Sequence, residues 1–140
     1  MARGEKLQRS FEDFKASFEK LNEAVSDTFR AQYKEEIIIE IVTKRFEYTY
    51  ETLWKLLKEL LLEEGVETAT PLQCFKEAFK IGLVSQESEE IFPLIVKKRN
   101  EIVHIYSADK AYEIYLLIRN SFIPAITAVS KNLQKRIHIS

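Results

Sequence analysis

The sequence predicts an all-α fold, an up-and-down four-helix bundle with one additional short helix. Three observations predict it. Only 3 Gly and 3 Pro interrupt 140 residues, apolar residues recur at alternating spacings of four and three, and strand-like alternation is scarce. A chain of this length suits one domain with a substantial core. A single helical domain over residues 1–140 is expected, with its core at about 5–133 and a frayed tail at 134–140.

The first helix is expected over Glu5 to Phe29, where Leu7, Phe11, Phe14, Phe18, Leu21 and Val25 form one apolar stripe. Arg30 to Glu36 reads as a connection, although it holds no strong breaker. A long second helix follows over Ile37 to Glu64. The Ile37-Ile38-Ile39 run favours a strand locally, but Val42, Phe46, Tyr50, Leu53, Leu57 and Leu60 restore the helical period. Gly65 is its stop. Thr70-Pro71 places a capping hydroxyl before a first-turn proline, and predicts a short helix over Pro71 to Lys80 ending at Gly82. Ser85 or Ser88 caps the fourth helix, which ends near His104, with Pro93 kinking it or delaying its start. Ser107 or Asp109 caps the fifth, which runs to about Leu133. Its inner face is Tyr112, Tyr115, Ile118, Phe122, Ile126 and Val129, and Pro124 bends it.

Composition excludes several function classes. The 21 basic and 22 acidic residues leave a net charge of -1, which argues against a salt-driven DNA coat. Cys74 is the only cysteine, so there is neither an internal disulfide nor a Cys-x-x-Cys motif; it reads as a buried thiol. His104 and His138 are the only histidines, His138 lies in the expected tail, and no metal site or cofactor is implied. There is no run of 18 apolar residues to span a membrane. The opening Met-Ala-Arg-Gly-Glu-Lys is charged rather than apolar, so a cytoplasmic protein is expected. Glu47 and Glu51 lie four apart on the second helix and read as solvated carboxylates rather than an acid–base pair. Phe46, Tyr48, Tyr50 and Trp54 read as core or dimer packing rather than as a base-stacking platform.

The chemistry concentrates in Arg99-Asn100-Glu-Ile-Val-His104-Ile-Tyr106. Histidine moves protons near neutral pH, and arginine holds a phosphate with a fixed fork of donors. Together they can cleave RNA without a metal: the histidine takes the ribose 2′-OH proton and the arginine stabilises charge on the phosphoryl oxygens. On a helix Asn100 and His104, four apart, share a face and Arg99 flanks it, with Lys97 and Lys98 adding local positive charge for phosphate. Asn100 is placed to orient His104. One histidine is hardly both base and acid in one step, so catalysis favours a symmetric homodimer. The bland alternatives are a solvated basic face at Lys97 to Arg99, a helix-capping His104 and an ordinary loop tyrosine at 106.

The same octet resembles the Arg-x4-His-x-Tyr motif of HEPN domains. Arg45-Phe-Glu-Tyr-Thr-Tyr-Glu-Thr-Leu-Trp-Lys55, and the stretch from Pro71 through Phe75-Lys-Glu-Ala-Phe79 to Gly82-Leu83, are similar to one branch of them, the nucleotidyltransferase substrate-binding proteins. The resemblance covers about residues 5–133. It implies a HEPN-like helical bundle, a homodimer and a separate minimal nucleotidyltransferase as partner, often as a toxin–antitoxin pair. It maps Arg99 and His104 onto the catalytic pair of a metal-independent ribonuclease, Asn100 onto the polar residue beside the arginine, and Tyr106 onto a tyrosine that the partner adenylylates in some pairs. The chain is not itself the nucleotidyltransferase, because it lacks a Gly-Ser dipeptide followed by paired aspartates.

Two functions from different classes remain. One is an endoribonuclease toxin acting through Arg99 and His104. The other is a non-catalytic subunit that binds a nucleotide or substrate for the nucleotidyltransferase. Near-neutral charge favours the second mildly, but the intact Arg–His–Tyr set favours the first, so the sequence is read as an endoribonuclease with the binding subunit as the alternative.

Overall fold

The predicted phenylalanine stripe forms the inner face of α1 (Glu5–Ala24), where Leu7, Phe11, Phe14, Phe18 and Leu21 are all buried. The computed structural model describes residues 4–139, and every regular element among them is helical. The elements that follow are α2 (Asp27–Arg30), α3 (Glu35–Glu63), α4 (Pro71–Lys80), α5 (Ile91–Glu101), α6 (Ala108–Leu117) and α7 (Ile123–Ile139). Short 3-10 turns cover Gln86–Ser88 and Ile102–His104, and a π turn, Ile118–Phe122, joins α6 to α7.

The first helix does not reach Phe29. It ends at Ala24 with Val25 as its C-cap, and Ser26 opens α2 in extended conformation, its hydroxyl accepting from the Phe29 N–H at 3.2 Å. The apolar spacing continues across this break, so periodicity alone overlooks the serine cap. The connection expected at 30–36 is correspondingly shorter, because α3 starts at Glu35.

At 1.5 Å per residue α3 is about 43 Å long. It packs against α1, α4 and α6 and is the centre of the bundle. The isoleucine run lies on its first turns, with Ile38 buried and Ile37 exposed, as a helix face demands and a strand does not. The fully buried Thr49 hydroxyl is shared between its own helix, at the Arg45 carbonyl (2.9 Å), and α1, at the Ser17 carbonyl (3.2 Å). Arg45 reaches back to α1, donating to the Lys20 carbonyl at 2.8 Å, with its guanidinium carbon 5.2 Å above the Phe29 ring.

Both glycine stops hold. Gly65 (φ 86) and Gly82 (φ 82) lie in the left-handed region. Val66 N–H returns to the Leu61 carbonyl and Leu83 N–H to that of Ala78, so the last turns of α3 and α4 are closed as Schellman motifs. Thr70 caps α4 by accepting from the Gln73 N–H at 3.2 Å, and Ser107 caps α6 from the Lys110 N–H at 3.2 Å. Pro93 delays the fourth helix rather than kinking it: α5 begins only at Ile91. It spans 11 residues, shorter than a full bundle helix.

Two expectations for the last helix change. Pro124 cannot donate to the carbonyl four residues back, and just upstream the ladder widens into the π turn. The tail does not fray at 134. The α7 helix runs to Ile139 because Leu133 and Ile137 are buried and Arg136 grips Glu64 through two donors, Nε at 2.8 Å and Nη2. Ser140 lies outside the described residues. On α6, Tyr112 is not a core residue: it is 40% exposed, whereas Tyr115 is 3%. Cys74 is buried as expected, 3.1 Å from the Thr68 hydroxyl, and its burial pushes the thiol pKa up.

The α3 stripe gives a direct test. Phe46 is fully buried, with its ring 5.6 Å from that of Phe122. Urea denaturation of Phe46→Ala should show a loss of about 3–5 kcal/mol. Tyr48→Ala, two residues along on the exposed face, should stay within about 0.5 kcal/mol of wild type.

Candidate functional site

The end of α5 separates the residues that the sequence groups. Lys98 turns inward beside Glu101, its Nζ 3.3 Å from Oε2, so it pairs with its own helix rather than offering itself to phosphate. The contact lies at ion-pair distance without hydrogen-bond geometry, and Oε2 has no hydrogen-bond partner among the described residues. Lys97 stays exposed and unpaired among those residues.

Arg99 points at α3. Its guanidinium carbon sits 5.6 Å from the Tyr50 ring centre, and Nη2 is 3.5 Å from Glu51 Oε1. Glu51 is the gathering point. Its other oxygen accepts from the Trp54 indole at 3.3 Å and lies 3.8 Å from Lys55 Nζ. Arg99 Nε is buried without a hydrogen-bond partner, an unused donor held beside an aromatic face.

Asn100 and His104 are exposed, and Tyr106 is 90% exposed. The shared helical face expected for Asn100 and His104 is altered, because the α-helix ends at Glu101 and His104 closes a 3-10 turn. Three steps at 120° instead of 100° carry His104 roughly 60° further round. Arg99 and His104 then lie roughly 160° apart about the axis. Within one chain the two groups face different ways, and no hydrogen bond joins Asn100 to His104 among the described residues.

Sequence reasoning missed Glu51 as the partner of Arg99. One signal was available. Lys98 has an acid at i+3, whereas the helical neighbours of Arg99 at three and four residues are Ile95, Val96, Ile102 and Val103. An arginine so placed must find its carboxylate on another helix or remain solvated. Glu47 does not join Glu51 in a carboxylate pair; it lies 3.9 Å from Lys44. Among the aromatics of that segment, Phe46 and Tyr50 are core, Trp54 is half-buried, and Tyr48 is exposed beneath Lys44. No group of three metal-ligating side chains occurs among the described residues, and none of their helices is long and apolar enough to cross a membrane. His138 packs edge-on against Phe11 at 5.6 Å.

Burial pushes the Tyr50 phenol from 10.0 up to about 12; Arg99 pulls it down, while Glu51 and Cys74 push it up. A raised folded-state pKa means that the native chain keeps a proton that the unfolded chain has released. This contribution is complete below pH 10 and is lost as the pH rises towards 12. Denaturant midpoints measured across that window should fall less steeply for Tyr50→Phe than for wild type.

The comparisons with known proteins follow this geometry. A family described as nucleotidyltransferase substrate binding protein like matches residues 9–135. No curated protein matches the sequence. A protein from Thermus thermophilus, known from its crystal structure, is 26% identical with a TM-score of 0.71. That match covers 89% of this chain and 98% of the other. The family match takes in the α3 segment around Glu51, the α5 octet and most of α7, and on that extent the chain belongs to the nucleotidyltransferase substrate binding protein-like family.

Proposed function

We propose that this chain is a non-catalytic subunit that presents a nucleotide or related substrate to a separate minimal nucleotidyltransferase. Family membership over residues 9–135 carries the reading. The state of Arg99 supports it: the one arginine of the octet is engaged by Glu51 and Tyr50 and does not stand ready beside His104. The Arg99–Glu51 contact is long, at 3.5 Å, with each side chain about one-third exposed (33% and 36%). Exposed pairs of this kind are worth about 0–1 kcal/mol. An incoming phosphate, which takes two parallel bonds from one guanidinium, can displace the carboxylate. Lys97, Asn100, His104 and Tyr106 are exposed to solvent.

A second reading, the metal-independent ribonuclease of a HEPN toxin, draws on one observation. His104 is exposed and has no side-chain hydrogen-bond partner among the described residues. Because Arg99 faces away from it within one chain, this activity requires a homodimer in which one protomer's Arg99 meets its partner's imidazole.

The two readings separate in one assay. A labelled RNA pool incubated in EDTA with wild type or His104→Ala, with Tyr106 shown unmodified by intact mass, should stay uncut by both. Cutting by wild type alone transfers the assignment to the ribonuclease.

Exposure of Tyr106 supports a further role as acceptor for the partner enzyme. Its phenolic oxygen would attack the α-phosphorus of ATP, pyrophosphate would leave, and the phenolic proton would pass to solvent. Incubation with the nucleotidyltransferase, ATP and Mg²⁺ should add one adenylyl group to wild type and none to Tyr106→Phe. An adduct on both places the acceptor elsewhere.

A further inference from the structure

Tyr112 and Tyr115 on α6, and Arg119 just beyond its end, recur at i, i+3 and i+7 and so share one stripe. Across from them the α2–α3 link brings Arg30, Tyr33 and Glu35. Together these two segments frame a hollow of about 190 Å³. Ile38, on the first turns of α3, lies in its wall. Ile38 and Glu51 are about 20 Å apart along the helix, so this hollow is separate from the Arg99 site.

Its charges are poorly matched within the chain. Arg119 is half-buried in the π turn and makes neither an ion pair nor a hydrogen bond among the described residues. A π turn commonly re-aims a side chain at a functional site. Arg30 meets only Asp27, at 3.5 Å, and that carboxylate is fully exposed. Glu35 lies within ion-pair reach of neither arginine. The lining itself carries two guanidiniums against one carboxylate, with Asp27 beside Arg30 outside it. Tyr115 adds a donor. It is 3% exposed, it lines the hollow, and its hydroxyl has no hydrogen-bond partner among the described residues. The hydroxyl itself is open to the hollow rather than sealed in the core, and an oxyanion there would accept from it.

We propose that this hollow binds the phosphate of a nucleoside monophosphate. Arg30 and Arg119 grip the phosphoryl oxygens with their planar forks, and the Tyr115 hydroxyl donates a further bond. The base lies on the flanking aromatic faces. Tyr33 is 45% exposed and Tyr112 40%, and their neighbours Phe29 and Tyr115, at ring separations of 5.0 and 6.1 Å, hold them in place. Exposed tyrosine faces of this kind stack on any base. The volume suits one phosphoryl group inside the hollow with the nucleoside lying outside it.

Isothermal titration of the full chain with AMP, adenosine and inorganic phosphate tests this. AMP should bind wild type, and adenosine at least tenfold more weakly. Arg119→Gln should weaken AMP at least tenfold and leave the thermal midpoint unchanged, since the guanidinium has no partner to lose. Lys131→Gln, which removes a distant exposed charge on α7, should bind AMP as wild type does. Tyr112→Leu should weaken AMP but not inorganic phosphate. Tyr115→Phe keeps the ring and removes only the hydroxyl, so it tests the phosphate grip should Arg119→Gln fold poorly; a several-fold loss is expected. Absence of AMP binding at millimolar concentration, or equal affinity in wild type, Arg119→Gln and Tyr115→Phe, overturns the proposal. The titration involves no nucleotidyltransferase, so its failure leaves the subunit reading untouched, and failure of that reading leaves the hollow in place.

Discussion

Burial of α3 on several sides is the constraint on which the rest depends. Its buried positions begin as one stripe at Ile38, Val42, Phe46, Thr49, Tyr50 and Leu53, then widen to Leu56, Leu57, Leu60 and Leu61. A stripe needs one partner helix; a wider face needs more. The first half of α3 is therefore served mainly by α1, with Thr49 and Arg45 fixing their relative register. The second half also requires α4, which the Schellman closures at Gly65 and Gly82 turn back against it. Once α4 is in place, Phe75 meets Phe92 at 4.8 Å and α5 has a floor to lie on. Only then does Arg99 come within reach of Glu51.

What was legible in the sequence follows from what is local. Caps, glycine stops and apolar periods act within a few residues, so Thr70, Gly65, Gly82, Ser107 and the phenylalanine stripe were readable one by one. Ser26 was not, because Val25 and Phe29 extend the apolar period across the break and mask the cap. The last turns of α7 were misread for a related reason. Their stability comes from Glu64, 72 residues away, and from the core that takes Ile137. Tyr112 fell on the right period, but α6 has no neighbour covering that position, and period does not reveal which part of a stripe is covered. At the candidate site the octet was legible as a set of residue types. The inward turn of Arg99 was not, since that depends on a carboxylate from another helix.

The chain's near-zero net charge acquires a structural meaning from the same contacts. Many of its ions cancel within a turn of helix: Lys44 with Glu47, Lys55 with Glu51, Lys80 with Glu77 and Lys98 with Glu101. Such pairs add about 0.3–0.5 kcal/mol each to a helix and are readily screened. They suit solubility better than recognition. Against that background the groups outside the pattern carry information. Lys97 is one of several cations left open to solvent, as are Lys34, Lys76 and Lys131. Arg99 has no acid on its own helix and reaches one on α3 across an aromatic face. Arg119 has no acid at all among the described residues.

Arg99 and Arg119 therefore differ in kind. Arg99 sits in an occupied position, so a ligand at its guanidinium would compete with Glu51. Arg119 sits in an unoccupied position, so an anion there displaces only water. It lies in the π turn, just upstream of Pro124, which cannot donate to the helical ladder. Pro124, expected merely to bend a helix, lies just beyond the π turn that carries Arg119, and Arg119 and Arg30 line the same hollow.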